Sequence, residues 1–246
     1  MRNVTDAIRS SKPAIAAYIL GGLPTPQRFA EVLVRVSRVA DVVEVGIPFS
    51  DPMADGLTLQ EANIAALAAG ATPLGILETI RRVRGDLSAP VVLMSYLNPL
   101  LSVPDLPARL AAAGIEGCIV PDLPLEESAL LGVPTVQLVA PNTSARRAAR
   151  LAGASSGFVY AVTACGTTGG AVGITTETVQ HLHRVRGLAG STPVLAGFGI
   201  RSATQVAALA PHCDGVVVGS ALVRTLLDGG DPAATIRGLR PERSAA

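Results

Sequence analysis

Charge is scarce in this sequence. Of its 246 residues only 16% are Asp, Glu, Lys or Arg, against 49% hydrophobic, and the formal net charge is +1 with the basic residues scattered along the chain. No basic face of the kind that grips nucleic acid or an acidic membrane is present, so small-molecule chemistry is the expectation. Cysteine is equally sparse. Cys118, Cys165 and Cys213 are odd in number and lack a C-x-x-C spacing, which argues against a disulfide framework and a zinc ribbon and fits a reducing, cytoplasmic setting. No apolar run approaches the roughly 20 residues of a membrane helix. The stretch "AIAAYILGGL" after Arg9 and Lys12 is interrupted by Gly21, Gly22 and Pro24, so it reads as a first strand rather than a secretory signal.

What is present is a recurrence of short, continuous apolar runs: residues 14–20, 42–48, 90–96, 117–123, 135–140, 157–163, 193–199 and 215–220. Continuous rather than alternating hydrophobicity is what a parallel strand covered on both faces requires. Between the runs lie amphipathic stretches whose starts carry a capping hydroxyl: Thr25 before Pro26, Thr72 before Pro73, and Ser202. Alternating strands and helices over about 250 residues predict a single (β/α)8 TIM barrel filling residues 1–246. Only "LPLEESALLGVP" separates Asp122 from Thr135. That is enough for about two helical turns, so the fourth helix is expected to be shortened.

Active sites of such barrels form at the carboxyl ends of the strands. In the segment "VEVGIPFSDPMADG", residues 43–56, Glu44 lies within the second strand. If Val43 and Val45 face the helices, Glu44 points into the barrel, where an unpaired carboxylate is costly. Asp55 stands in the loop beyond. The seventh and eighth strands end in "AGFGI" and "VVVGSAL"; Gly197, Gly199 and Gly219 permit close backbone approach, and Ser220 opens a helix, as a phosphate site requires. The loop "TACGTTGGAVG" after the sixth strand is glycine-rich enough to serve as a lid. The single lysine, Lys12, precedes the first strand and is on the wrong face for a Schiff base. The histidines, His181, His183 and His212, fall in helix or before the eighth strand, so no zinc site is expected. A phosphate-binding barrel with carboxylate acid–base groups remains.

These residues resemble the family of tryptophan synthase alpha subunits. The match runs from "AYILGG" to "GSALVRTL"; its most specific element is "VEVGIPFSDPMADG" followed by "TLQEAN", supported by "LMSYLNP", "VPDLPLEES", "TTGG", "AGFGI" and "DGVVVGSAL". The resemblance implies retro-aldol cleavage of indole-3-glycerol phosphate to indole and glyceraldehyde 3-phosphate. It also implies an α2β2 complex whose β subunit carries pyridoxal phosphate, with no cofactor or metal in this chain. It assigns Glu44 as acid–base catalyst and Asp55 as the carboxylate that takes up positive charge at the indole nitrogen. Tyr160 is expected beside Asp55, with Thr168 closing the lid over it. Gly169, Gly199, Gly219 and Ser220 would hold phosphate, and Phe198, Tyr96 and Tyr18 would border the indole pocket. Asp51 and Pro52 match the loop facing the β subunit.

Three features depart from the family pattern: Leu57 follows "ADG" in place of proline, "TACGTTGG" is an unusual lid sequence, and the fourth helix is shortened. Alternative expectations are a stand-alone lyase releasing free indole, another sugar-phosphate barrel such as an isomerase, and a non-catalytic activator of a β subunit.

Overall fold

A computed structural model describes residues 3–53, 55–163, 174–197 and 199–240. Eight parallel strands close into a barrel in chain order: β1 (Ala14–Leu20), β2 (Val42–Gly46), β3 (Val91–Met94), β4 (Ile115–Ile119), β5 (Thr135–Val139), β6 (Val159–Val162), β7 (Val194–Gly197) and β8 (Gly215–Val218). β8 returns to pair with β1, leaving no open edge. Every strand expected from the apolar runs is present. The fourth begins earlier than expected, at Ile115, because Glu116 is tolerated on an exposed position of the strand.

The helices are α1 (Val4–Arg9), α2 (Pro26–Ser37), α3 (Leu57–Ala68), α4 (Pro73–Val83), α5 (Leu97–Leu101), α6 (Leu106–Ala113), α7 (Ala145–Ala154), α8 (Thr176–Ala189), α9 (Ala203–Leu209), α10 (Ser220–Leu227) and α11 (Pro232–Leu239). The expected caps form. The Thr25 and Thr72 hydroxyls accept from the backbone N–H groups of Arg28 and Gly75, and Ser202 makes a reciprocal capping box with Gln205.

Strand alternation sorts the core into two layers. Ala16, Val42, Val92, Val136, Leu195 and Val217 pack in one cluster inside the barrel, while Val43, Val45, Leu93 and Val216 pack with the helices outside. Val4, Ala7 and Ile8 of α1 join the inner cluster and plug the amino-terminal end. Six residues are too few to show a helical period, so α1 was not legible beforehand.

The connection between β4 and β5 is a seven-residue 3-10 segment, Leu125–Leu131, ended by Gly132 in the left-handed region at φ 61°. The helix is therefore short as expected, and tighter than α. It buries only Leu131 and leaves Leu130 62% exposed. Among the described residues no single helix is long and apolar enough to cross a membrane.

Candidate active site

The carboxyl ends of the strands surround one cavity, lined by Tyr18, Glu44, Asp55, Tyr96, Tyr160, Gly199, Gly219 and Ser220 among others. It thus gathers every described residue expected to act on substrate except Gly197, which the Tyr160 phenol covers in place of a phosphate. Thr168, Gly169 and Phe198, and with them the expected lid, lie outside the described residues. Asp51 and Pro52 stand outside the cavity, on the loop that leads to Asp55.

Glu44 points inward from the middle of β2, in register with Tyr18 on one side and Val92 on the other. It is 0% exposed, and neither carboxylate oxygen has a hydrogen-bond partner among the described residues. Burial without compensation disfavours the ionised form, so its pKa rises from 4.5 to about 8. At neutral pH the group is an acid. Such an orphaned carboxyl is a standing cost that packing alone does not repay.

Asp55 enters from the β2–α3 loop, half-buried. Burial raises its pKa from 3.8 to about 6, while a hydrogen bond from Asn63 pulls in the opposite direction. It is therefore a carboxylate at neutral pH. Two acids thus share one cavity with opposite protonation states, the pattern by which environment separates acid and base roles.

Two tyrosines complete the polar surface. Tyr18 reaches up from β1 and lays its phenol over Gly46 of β2, and Tyr160 lays its phenol over Gly197 of β7. A Cβ on either glycine would collide with the phenol oxygen. Burial first, then the charges of Asp55 and Glu44, push the Tyr18 phenol well above its ordinary pKa; burial, then Glu44 and Tyr18, do the same to Tyr160. Both remain neutral hydroxyls. Tyr160 shares the cavity with Asp55, and the charge of Glu44 acts on its phenol. Tyr96 stacks on Phe49 at 5.2 Å between ring centroids. Ile47, Leu59, Met94, Leu138, Ile200 and Val217 supply an apolar wall.

Across the cavity, Gly219 precedes α10 with no side-chain cap on its first turn; the Leu222 N–H there donates to the Gly219 carbonyl at 2.9 Å, and the N–H groups of Ser220 and Ala221 that open the turn are the ones an anion can take. Gly199 has φ 79°, a backbone conformation that favours glycine. Cys118 and Cys213 are buried, and burial pushes their thiols up to about 12 and about 11, so neither is a nucleophile. His183 and His212 contact each other at 2.9 Å, while His181 Nε2 lies 3.1 Å from the Val139 carbonyl oxygen and Nδ1 3.1 Å from Arg184. No group of three or more His, Cys, Asp or Glu suited to a metal occurs among the described residues.

Sequence reasoning missed Asn63. It lies inside the quoted "TLQEAN" but carries no chemistry of its own, and its position against Asp55 depends on how the loop folds back. Leu57, where the family pattern has proline, still occupies the first helical position of α3 with Gly56 as its N-cap. The helix start survives that departure.

The family model for the tryptophan synthase alpha chain matches residues 4–237. The chain is 45% identical over 240 residues to a tryptophan synthase alpha chain of Halorhodospira halophila, covering 91% of this chain and 86% of that one. It is 42% identical over 223 residues to that of Carboxydothermus hydrogenoformans, covering 87% and 83%. The fold is similar to a chain of Mycobacterium tuberculosis tryptophan synthase, with TM-score 0.84, 34% identity and coverage of 96% and 95%. It is also similar to a chain from the tryptophan synthase α2β2 complex of Pyrococcus furiosus, with TM-score 0.83, 32% identity and coverage of 93% and 98%.

Proposed function

Since this chain belongs to the tryptophan synthase alpha chain family, and so is a lyase acting on indole-3-glycerol phosphate in tryptophan biosynthesis, we propose that Glu44 and Asp55 carry its reaction. The observation behind this is the buried Glu44, without a hydrogen-bond partner among the described residues, facing the same cavity as an ionised Asp55. Glu44, protonated at neutral pH, delivers its proton to carbon 3 of the indole. Positive charge then develops at the ring nitrogen, where the Asp55 carboxylate stabilises it. The Glu44 carboxylate so formed takes the proton of the adjacent side-chain hydroxyl. That oxygen becomes the aldehyde, the carbon–carbon bond breaks, and its electron pair returns to the ring to give neutral indole. Because the ring accepts the electrons, the step needs no imine, and Lys12, ahead of β1, has no part in it. Release of indole from indole-3-glycerol phosphate, measured with and without a β subunit, is the primary test.

The apolar wall and Tyr96 would border the indole, and the first turn of α10 would bind the phosphate. A Cβ at Gly219 would meet Tyr18 carbons at 3.6 Å or more, an ordinary contact, so thermal unfolding of a Gly219 variant separates loss of ligand from loss of fold. Ser220→Ala should weaken glycerol 3-phosphate binding by the value of one hydrogen bond, roughly 2- to 12-fold. Gly219→Val should weaken it by about 100-fold or more by blocking the backbone donors. Equal dissociation constants for the two variants would contradict backbone recognition.

The two phenol seats give a second test. Gly46→Ala must displace the Tyr18 ring and Gly197→Ala the Tyr160 ring, and a site misplaced by about 1 Å loses about 100-fold in rate. Gly187→Ala, on α8 with no atom within 4 Å of its added Cβ, serves as the neutral control in the same assay.

The pH profile follows from the two carboxyls. Asp55 must be ionised, which requires pH above about 6, and Glu44 must begin protonated, which requires pH below about 8. Cleavage is expected to be bell-shaped in pH with limbs near those values. A rate still rising beyond pH 9 would remove Glu44 as the proton donor.

A β subunit is the proposed partner, in an α2β2 complex with pyridoxal phosphate on that partner. The loop carrying Asp51 and Pro52 also presents Met53, 89% exposed, and Leu57 follows at 84%. Side chains so apolar and so exposed on one loop and the helix it enters suit a protein interface. Retention of both carboxylates speaks against a non-catalytic activator.

A further inference from the structure

The catalytic reading of Asp55 requires that a loop residue hold its carboxylate still. The loop leaves the barrel after β2 at Phe49 and closes at Asp55, and Ser50, Asp51 and Met53 between them are exposed. Both ends of the loop meet one side chain. Asn63, in the second turn of α3 and 3% exposed, accepts a hydrogen bond on Oδ1 from the Phe49 N–H at 2.9 Å and donates from Nδ2 to Asp55 Oδ2 at 3.3 Å. The same amide nitrogen donates to the Leu59 carbonyl at 2.8 Å, which fixes its orientation. The amide therefore makes one accepted and two donated bonds.

The support continues on either side. Gln60 Nε2 donates to the Asp55 backbone carbonyl at 2.8 Å. The Phe49 ring, set by its pinned N–H, stacks on Tyr96, and the next backbone N–H, that of Leu97, donates to the Asp122 carboxylate at 2.9 and 3.2 Å. On the far face of α3, Arg224 of α10 holds Glu61 at 2.6 Å. α3 thus has partners on both faces.

We propose that Asn63 is a positioning residue of the reaction: one buried amide clamps both ends of the loop of residues 49–55 and presents the Asp55 carboxylate to the indole nitrogen. This rests on the assignment of Asp55 above. An aspartate in place of Asn63 would still accept from Phe49 but would lose both donors and set a second carboxyl against the first. Among the described residues, the other ionisable groups facing Asp55 across the cavity are Glu44 of β2, Tyr18 of β1, Tyr96 after β3 and Tyr160 of β6. In the parent protein the Asn63 bond favours the ionised Asp55.

The test is the pH dependence of kcat and KM for indole-3-glycerol phosphate in Asn63→Asp, Asn63→Ala and Asp55→Asn, with thermal unfolding of each. Asn63→Asp should move the acid limb of kcat upward by about one pH unit or more. It should lower kcat at pH 7 by about twofold for a one-unit shift and about tenfold for a two-unit shift, with partial recovery at higher pH and little change in KM. Asn63→Ala should move the limb in the same direction, by less. A purely structural role would lower Tm and activity without moving the limb, and that outcome overturns the proposal. If instead Asp55→Asn keeps the parent rate, the assignment of Asp55 fails and not the clamp geometry. The aspartate variant keeps the Phe49 acceptor, so the test stands even where Asn63→Ala does not fold.

Discussion

Glu44→Gln is expected to reduce cleavage of indole-3-glycerol phosphate by at least about 10²-fold, the usual contribution of a general acid–base group, and at the same time to stabilise the fold at neutral pH. The first effect follows from the proton: glutamine keeps the size of the side chain but neither gives nor takes one. The second follows from the burial. Glu44 sits at 0% exposure with no partner among the described residues, and its pKa of about 8 lies far above the unfolded value of 4.5. Between those two pH values the folded chain binds a proton that the unfolded chain has released. Stability therefore falls as pH rises through that window, and the contribution of the group is fully present only below about pH 4.5.

At pH 7 this cost is about 3 kcal/mol, at about 1.4 kcal/mol per pH unit. Glutamine does not titrate, so the gap between variant and parent should widen steadily from about pH 4.5 to about 8 and then level off. Its own buried amide adds a constant offset, which is why the slope and not the absolute difference carries the test. In a chain of this length 3 kcal/mol corresponds to about 6–12 °C in Tm. Thermal unfolding of both proteins across pH 4–9 measures it. A pH-independent difference would mean that Glu44 is not held protonated by the fold, and the proton-donor role would lose its physical basis.

Glu44 was legible in the sequence because its signal is local. Alternation along a strand decides which side chains face inward, and a carboxylate in a run such as "VVEVG" can only be inside or against the helices. The caps at Thr25, Thr72 and Ser202 were legible for the same reason, since a hydroxyl and its N–H acceptor lie within one turn. The strands closed in chain order because parallel neighbours joined by helices have few other ways to bury both faces. What escaped is what depends on contacts between distant elements. Gly46 and Gly197 are seats for Tyr18 and Tyr160 only because the barrel registers bring β1 against β2 and β6 against β7. In the sequence Gly46 passes for a glycine that ends a strand, and Gly197 for one that admits phosphate. Asn63 has no charge and no motif chemistry, so only the folded loop shows that it binds Phe49 and Asp55 together.

Asp55→Asn is expected to lower kcat by about 10²–10³-fold, the cost of removing one preorganised electrostatic group from a developing charge. The substitution is close to isosteric. The Asn63 amide can still donate to the new carbonyl oxygen, and Gln60 still holds the backbone carbonyl of that position, so the loop should keep its shape. Only the negative charge is lost, and with it the stabilisation of the protonated indole ring. The pH profile identifies the group behind the effect. The substrate's phosphate also titrates near 6, so an acid limb in that region has two possible owners. If Asp55 owns it, the residual activity of Asp55→Asn should be flat below about pH 7, with only the alkaline limb of Glu44 remaining. If the phosphate owns it, the limb should persist unchanged in the variant. Measuring kcat and kcat/KM of Asp55→Asn from pH 5 to 9 separates the two. A variant within about tenfold of the parent rate at every pH would show that positive charge at the indole nitrogen is met by another group.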